Sequence, residues 1–173
     1  MSHAVWPDLV PVAGRVVEQL AARGLTLGTC ESLTGGALAA TLTEVPGASR
    51  VVRGGLVTYA SELKVALAGV DAEGVVAHGV VNEDTAVQMA RGARRALGVD
   101  LAVSCTGVAG PSPQDGQAVG AVWIALAGVG DAMTTRFHHF DGGRSAIRWN
   151  TGRAALELLA AHLGDARSTQ DPA

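Results

Sequence analysis

A chain of 173 residues, 48% hydrophobic and 17% charged, has the size for one compact domain with a buried core. Its formal net charge of −3 argues against an open nucleic-acid surface, while a local anion site stays possible, and its two distant cysteines, Cys30 and Cys105, form no zinc or disulfide framework. It has no uninterrupted apolar stretch long enough to cross a bilayer and no signal-peptide pattern, so a soluble cytoplasmic protein is expected.

Residues 1–7 read as a loose start. From Asp8, a candidate cap, the apolar residues Leu9, Ala13, Val16, Val17, Leu20 and Ala21 recur at helical spacing, and Gly24 ends the run. Residues 25–30 predict a strand, 35–43 a helix, and 44–49 a turn cluster. A second strand is expected over 51–59, then a short helix over 61–68 with Ser61 as candidate cap. Residues 71–81 show no period and read as irregular. Asn82 caps a helix running to Leu97, with Ala86, Met89, Ala90, Ala93 and Leu97 on one face. A third strand covers 101–106 and a Gly/Pro-rich loop 107–118. Residues 119–127, nearly all apolar, predict a central strand covered on both faces. A turn at 128–131 leads to a more polar edge strand over 132–140. The final helix spans 143–163, with Ile147, Thr151, Ala154, Ala155, Leu158 and Leu159 inward, and the last ten residues read as frayed. Helices alternating with strands, plus one hairpin, predict an α/β fold: a three-layer α/β/α sandwich around a mixed, mostly parallel sheet, as a single domain over 1–173 with a core of about 8–163.

In such folds ligands collect at the carboxyl ends of parallel strands. One segment expected there is Thr29-Cys30-Glu31-Ser32-Leu33-Thr34-Gly35-Gly36. A strand turning sharply into a helix leaves the first helical N–H groups unpaired and positive, so an anion can sit on the helix start and Ser32 can serve as a nucleophile. Gly35 and Gly36 allow backbone or ligand to come close. An ordinary cap and tight turn fit the same octet.

A second segment, Thr58 with Tyr59 and Lys64, holds the only tyrosine and one of very few lysines, the other basic residues being arginine. Within the first turn of a helix, a lysine meets the positive helix end, and burial lowers its pKa further, toward that of a useful base. A solvated surface lysine fits the same spacing. A serine hydroxyl needs a neighbouring base. His78 lies in a loop, His138 and His139 point to opposite faces of one strand, and His162 sits on the terminal helix, so Ser32 with Lys64 is the better pair. Glu31 could orient the lysine, bind substrate, or simply sit at the helix start.

The third segment runs over 104–111, where Thr106, Gly107 and Gly110 could present backbone N–H groups to an anion or a developing oxyanion, or form a plain glycine turn. Arg144 and Arg148 fall four apart on one helix face, at its start. Cations are unfavourable there, which suggests a bound anion or a carboxylate partner such as Asp141 or Glu31.

Five ordered stretches, T-C-E-S-L-T-G-G, G-L-V-T-Y-A-S-E-L-K, T-G-V-A-G-P, V-G-A-V-W-I-A and D-G-G-R-S-A-I-R, resemble the CinA C-terminal domain family, also described as nicotinamide mononucleotide deamidase or the competence/damage-inducible protein C-terminal domain. The resemblance covers about residues 10–163. It implies an α/β/α sandwich that hydrolyses the carboxamide of nicotinamide mononucleotide to nicotinate mononucleotide and ammonia. It implies Ser32 as nucleophile, Lys64 and Tyr59 as its activating partners, Thr106 as a site hydroxyl and Arg148 as a site arginine, with no metal or organic cofactor. The expected substrate-binding set is Glu31, Thr34, Gly35, Gly36, Gly107, Gly110, Arg144 and Arg148. The expected partner is the nucleotide substrate, with no nucleic acid and no membrane; a homo-oligomer is expected, its order open. Many relatives carry an N-terminal domain resembling molybdopterin-binding proteins, and this chain is read as the stand-alone form. It departs from the family in Leu33, where a cysteine is common, and over 111–118, a shorter loop without the family's lysine. If that lysine helps hold phosphate, its loss weakens affinity. Two further readings stay open: a non-catalytic interaction module in competence or damage response, and Cys105 as nucleophile, as in cysteine-dependent nicotinamidases.

Overall fold

The computed structural model describes residues 4–165. The chain runs through α1 (Val10–Arg23), β1 (Leu27–Glu31), α2 (Ala37–Thr43), β2 (Val52–Val57), α3 (Ser61–Ala68), α4 (Ala72–His78), α5 (Glu83–Leu97), β3 (Leu101–Gly107), β4 (Ala121–Ala127), β5 (Met133–His139) and α6 (Arg144–Asp165). The strands form one sheet in the order β2-β1-β3-β4-β5. β1 pairs in parallel with β2 and β3, while β4 runs antiparallel to both β3 and β5. β4 alone opposes the common direction, so the sheet is mixed, as the element pattern predicts.

Alternation along the strands sorts the core into two layers. Leu27, Leu101, Val103, Cys105, Val122 and Ile124 face one side, against Leu20 of α1, Leu38 of α2 and Leu156 and Leu159 of α6. Cys30 and Ala102 face the other side, against Ala68 of α3 and Met89 and Ala93 of α5, while Ala125 and Ala127 meet Ala86 and Ala90 of α5. This second interface is built from alanines, which lets α5 lie low on the sheet. Helix α5 is also well terminated: Asn82 Oδ1 accepts the Thr85 N–H at 2.8 Å, Glu83 and Asp84 occupy its first turn and Arg94 and Arg95 its last. Those charges complement the helix dipole.

Several expectations need correction. Residues 4–7 are not loose: Trp6 is buried, packed over Gly152 of α6. A 3-10 turn over Pro7–Leu9 precedes α1, and Asp8 caps neither. The aperiodic segment contains α4, capped by Asp71, whose carboxylate accepts the Gly74 N–H. No residue of α4 is buried, so it carries no apolar period to read. Strand β4 is interior, but β3 is the middle strand. Strand β2 stops at Val57; Thr58 keeps its N–H bond to β1, and the Thr58 and Tyr59 carbonyls turn to Lys64. Ser61 does not cap α3; Ala60 holds that position without a side-chain bond. On α6 the inward face includes Leu156 and Leu163, with Ala154 and Leu158 only partly buried. The expectations for residues 1–3 and 166–173 lie outside the described residues. No helix among the described residues is long and apolar enough to cross a membrane.

Asn82→Ala removes the cap of α5 and should cost about 1 kcal/mol of stability, read as a lower urea midpoint at unchanged slope.

Candidate active site

Ser32 is the first residue past β1, and the strands on both sides hold the chain there. The Ser32 N–H donates to the Cys105 carbonyl of β3 at 3.1 Å, and the Thr58 N–H donates to the Glu31 carbonyl at 2.8 Å. Ser32 is thus fixed at the carboxyl edge of the parallel strands, only 8% exposed.

The turn after it is stabilised from inside. Glu31 is fully buried, and its carboxylate accepts the N–H groups of Gly36 and Leu38 at 3.0 Å and of Ala39 at 2.8 Å, plus the Thr29 hydroxyl at 3.2 Å. The start of α2 therefore already holds its anion, supplied by the chain itself. The expectation that a ligand anion sits there meets a site already filled: Glu31 makes no bond to Lys64 and does not line the cavity described below. Gly35 and Gly36 are needed for backbone reasons, at φ 63° and 90°, where a Cβ is strained. Thr34 is buried with its hydroxyl 3.1 Å from the Cys105 sulfur. None of Thr34, Gly35 and Gly36 lines the cavity described below.

Lys64 is the chain's only lysine and is 1% exposed. Its Nζ lies 3.1 Å from Ser32 Oγ, 2.7 Å from the Thr58 carbonyl and 3.4 Å from the Tyr59 carbonyl. Among the described residues no carboxylate forms an ion pair with it. Burial holds its pKa below the ordinary 10.5; the opposing influences of Cys30, Cys105, Asp115 and Glu62 are smaller.

A cavity of about 400 Å³ opens above this pair, with Ser32 and Lys64 at its wall and Thr106, Gly107, Gly110 and Arg144 around it. Arg144 donates to the Gly110 carbonyl at 2.9 Å and to the Tyr59 hydroxyl at 2.7 Å, tying the two rims together. Tyr59 is 57% exposed and lines the cavity; its hydroxyl accepts from Arg144, and its carbonyl lies 3.4 Å from the amine. Arg148, one turn on, faces elsewhere: its Nε donates to the Leu33 carbonyl at 3.0 Å and its terminal nitrogen to the Thr34 carbonyl at 2.7 Å. It fastens the serine turn and does not line the cavity. Neither arginine pairs with Asp141 or Glu31.

Thr106 does line the cavity, but its hydroxyl donates to the Val80 carbonyl at 2.7 Å, so its proton is committed. The Val80 N–H in turn donates to Asp115 at 2.9 Å. Val80 is thereby held at both ends as part of an apolar wall with Val81 and Val108. Sequence reasoning missed this wall, and also Ser112 and Gln114 on the loop; a pair of valines after an aperiodic segment is too slight a signal. Cys105 is fully buried, and burial pushes its thiol up to about 12, with Cys30 up to about 11, which overturns Cys105 as nucleophile. Among the described residues no group of three or more His, Cys, Asp or Glu could hold a metal.

The family model described as CinA C-terminal domain matches residues 10–163. The chain belongs to the CinA C-terminal domain family. A CinA-like protein of Frankia casuarinae is 45% identical over 146 residues, covering 84% of this chain and 34% of the relative. One from Gemmatimonas aurantiaca is 40% identical over 151 residues, covering 86% and 35%. The chain thus spans about a third of the length of these curated relatives. Among solved structures, the competence/damage inducible protein CihA from Agrobacterium tumefaciens superposes with a TM-score of 0.88 at 38% identity, covering 95% of this chain and 99% of that one. A competence-damaged protein (CinA) superfamily protein from Klebsiella pneumoniae gives 0.86 at 33%, covering 90% and 98%. These names speak of competence and damage induction and carry no reaction.

The Glu31 cage makes Glu31→Gln a sharp probe. The amide must turn N–H groups toward N–H donors, so the variant should lose about 1–3 kcal/mol in denaturant unfolding despite its matching shape.

Proposed function

We propose that this CinA domain is an amidohydrolase that converts the carboxamide of nicotinamide mononucleotide to the carboxylate of nicotinate mononucleotide, releasing ammonia. The observation that carries the reading is the 3.1 Å approach of the Lys64 amine to the Ser32 hydroxyl at the wall of a cavity with a guanidinium at its mouth. The resemblance to the deamidase supplies the substrate.

A neutral Lys64 has two N–H groups for the Thr58 and Tyr59 carbonyls, leaving its lone pair for the Ser32 O–H. The hydroxyl then donates to the amine, and the pair needs no histidine. Ser32 Oγ attacks the carboxamide carbon while its proton passes to Lys64. Leu33, Ala109 and Gly110 line the cavity and, among the described residues, their N–H groups donate to no protein acceptor, so they are the candidate donors to the developing oxyanion. Lys64 returns the proton to the departing nitrogen, ammonia leaves, and a Ser32 ester remains. Neutral Lys64 next takes a proton from water, whose oxygen attacks the ester; Ser32 leaves with that proton and the product acid ionises. Arg144 is the cation placed for the phosphate, and no carboxylate lines the cavity to repel it.

Ser32→Ala should abolish ammonia release at an unchanged circular dichroism spectrum; undiminished turnover would reject the mechanism, and wild type silent at every pH would favour the non-catalytic interaction module. The active form of Lys64 is neutral, so the rate should rise with pH and level off below 10.5. Stability follows the same sign: the folded pKa is depressed, the unfolded chain binds the extra proton, and stability rises with pH between the folded value and 10.5. Lys64→Met should remove that slope.

Arg144→Gln should raise KM for the mononucleotide about 10- to 100-fold and leave kcat within a few-fold, as expected for one charge-assisted bond to an anion.

A further inference from the structure

Helix α3 is eight residues long, and its buried positions are Lys64 and Ala68, one turn apart. Leu63 and Leu67 are exposed and Val65 is half-buried, so Ala68 is the one fully buried apolar side chain of the helix that carries the amine. Ala68 packs in a cluster with Met89 and Ala93 of α5. Beside it on α5 stands Gly92, buried, outside the cavity lining. A Cβ on Gly92 would overlap the Ala68 carbonyl oxygen and lie 2.9 Å from the Ala68 Cα. Glycine in a helix interior costs about 0.5–1 kcal/mol against alanine, and this one has a packing reason to be there.

We propose that Gly92 sets the depth at which α3 lies on α5, and thereby holds Lys64 Nζ within bonding reach of Ser32 Oγ. It is a positioning residue: it touches neither substrate nor amine. Any side chain at this position drives the Ala68 backbone outward by on the order of 1 Å or more to restore ordinary contact. The 3.1 Å bond one turn away does not survive such a shift. The titratable groups facing the amine, Cys30 from β1, Cys105 from β3, Asp115 from the 111–118 loop and Glu62 from its own helix, are the same in the variant, so a change in its titration reports its depth.

Because Lys64 is the only lysine, protein labelled at the lysine Cε carbon gives a single side-chain NMR signal whose titration needs no reaction to be read. In Gly92→Ala the midpoint should move from its depressed position toward 10.5. The kcat for the mononucleotide should fall about 10²-fold with KM within about threefold. The kcat arm rests on the proposed amidohydrolase and the titration arm does not: a wild type without turnover leaves the titration to decide. Gly14→Ala, on α1 with nothing near the added methyl, should move neither. If Gly92→Ala does not fold, Ala68→Gly removes the anchoring methyl without adding volume and should shift the titration the same way by a smaller step. An unchanged lysine titration in whichever of these two variants folds overturns the proposal.

Discussion

A lysine amine taken out of water with no carboxylate in ion-pairing reach among the described residues is the constraint on which the rest of this fold turns. Burying an unpaired ammonium is costly, and that cost holds the pKa of Lys64 below its ordinary value. Two peptide carbonyls just past β2 accept from the amine, and α3 carries it inward beside Ala68, the helix's other buried residue. The sheet then sets Ser32 opposite, thirty-two residues earlier in the chain. Such a pair is useful only if the approach is held, because a few tenths of an ångström decide whether hydroxyl and amine share a proton.

The placement of charge follows the same logic. The buried Glu31 carboxylate is spent on the N–H groups of α2 and on Thr29, and makes no contact with the amine. Arg148 is spent on the carbonyls of Leu33 and Thr34, closing the same turn from its other side. Arg144 alone of this pair reaches the cavity, held across its mouth by Tyr59 and Gly110. The one guanidinium that lines the cavity among the described residues thus sits with Tyr59 and Gly110 at the rim, apart from Ser32 and Lys64 at the wall.

Much of this was readable from residue order. The periods of α1 and α5, the glycine stops and the apolar runs announce an α/β/α sandwich, and the lack of a usable histidine points from Ser32 to Lys64. What could not be read was direction. Arg144 and Arg148 share a helical spacing, yet one points into the cavity and the other into the turn, because the start of α6 lies over the seam between them. Glu31 and Thr106 have the right chemistry for a site, but buried backbone groups needed partners and claimed them first. The Val80 wall has no period because Asp115 and Thr106, distant along the chain, hold it in place. Gly92 looked like any helical glycine until its neighbour across the crossing was known.

The exterior of the described molecule is armed with guanidinium groups and bears no side-chain ammonium, since the sole lysine is walled in. Amine-directed reagents, which decorate most proteins harmlessly on their outer lysines, find here a single side-chain amine, at the wall of the cavity. For this protein such chemistry would act as a poison of the site rather than as a coat of paint.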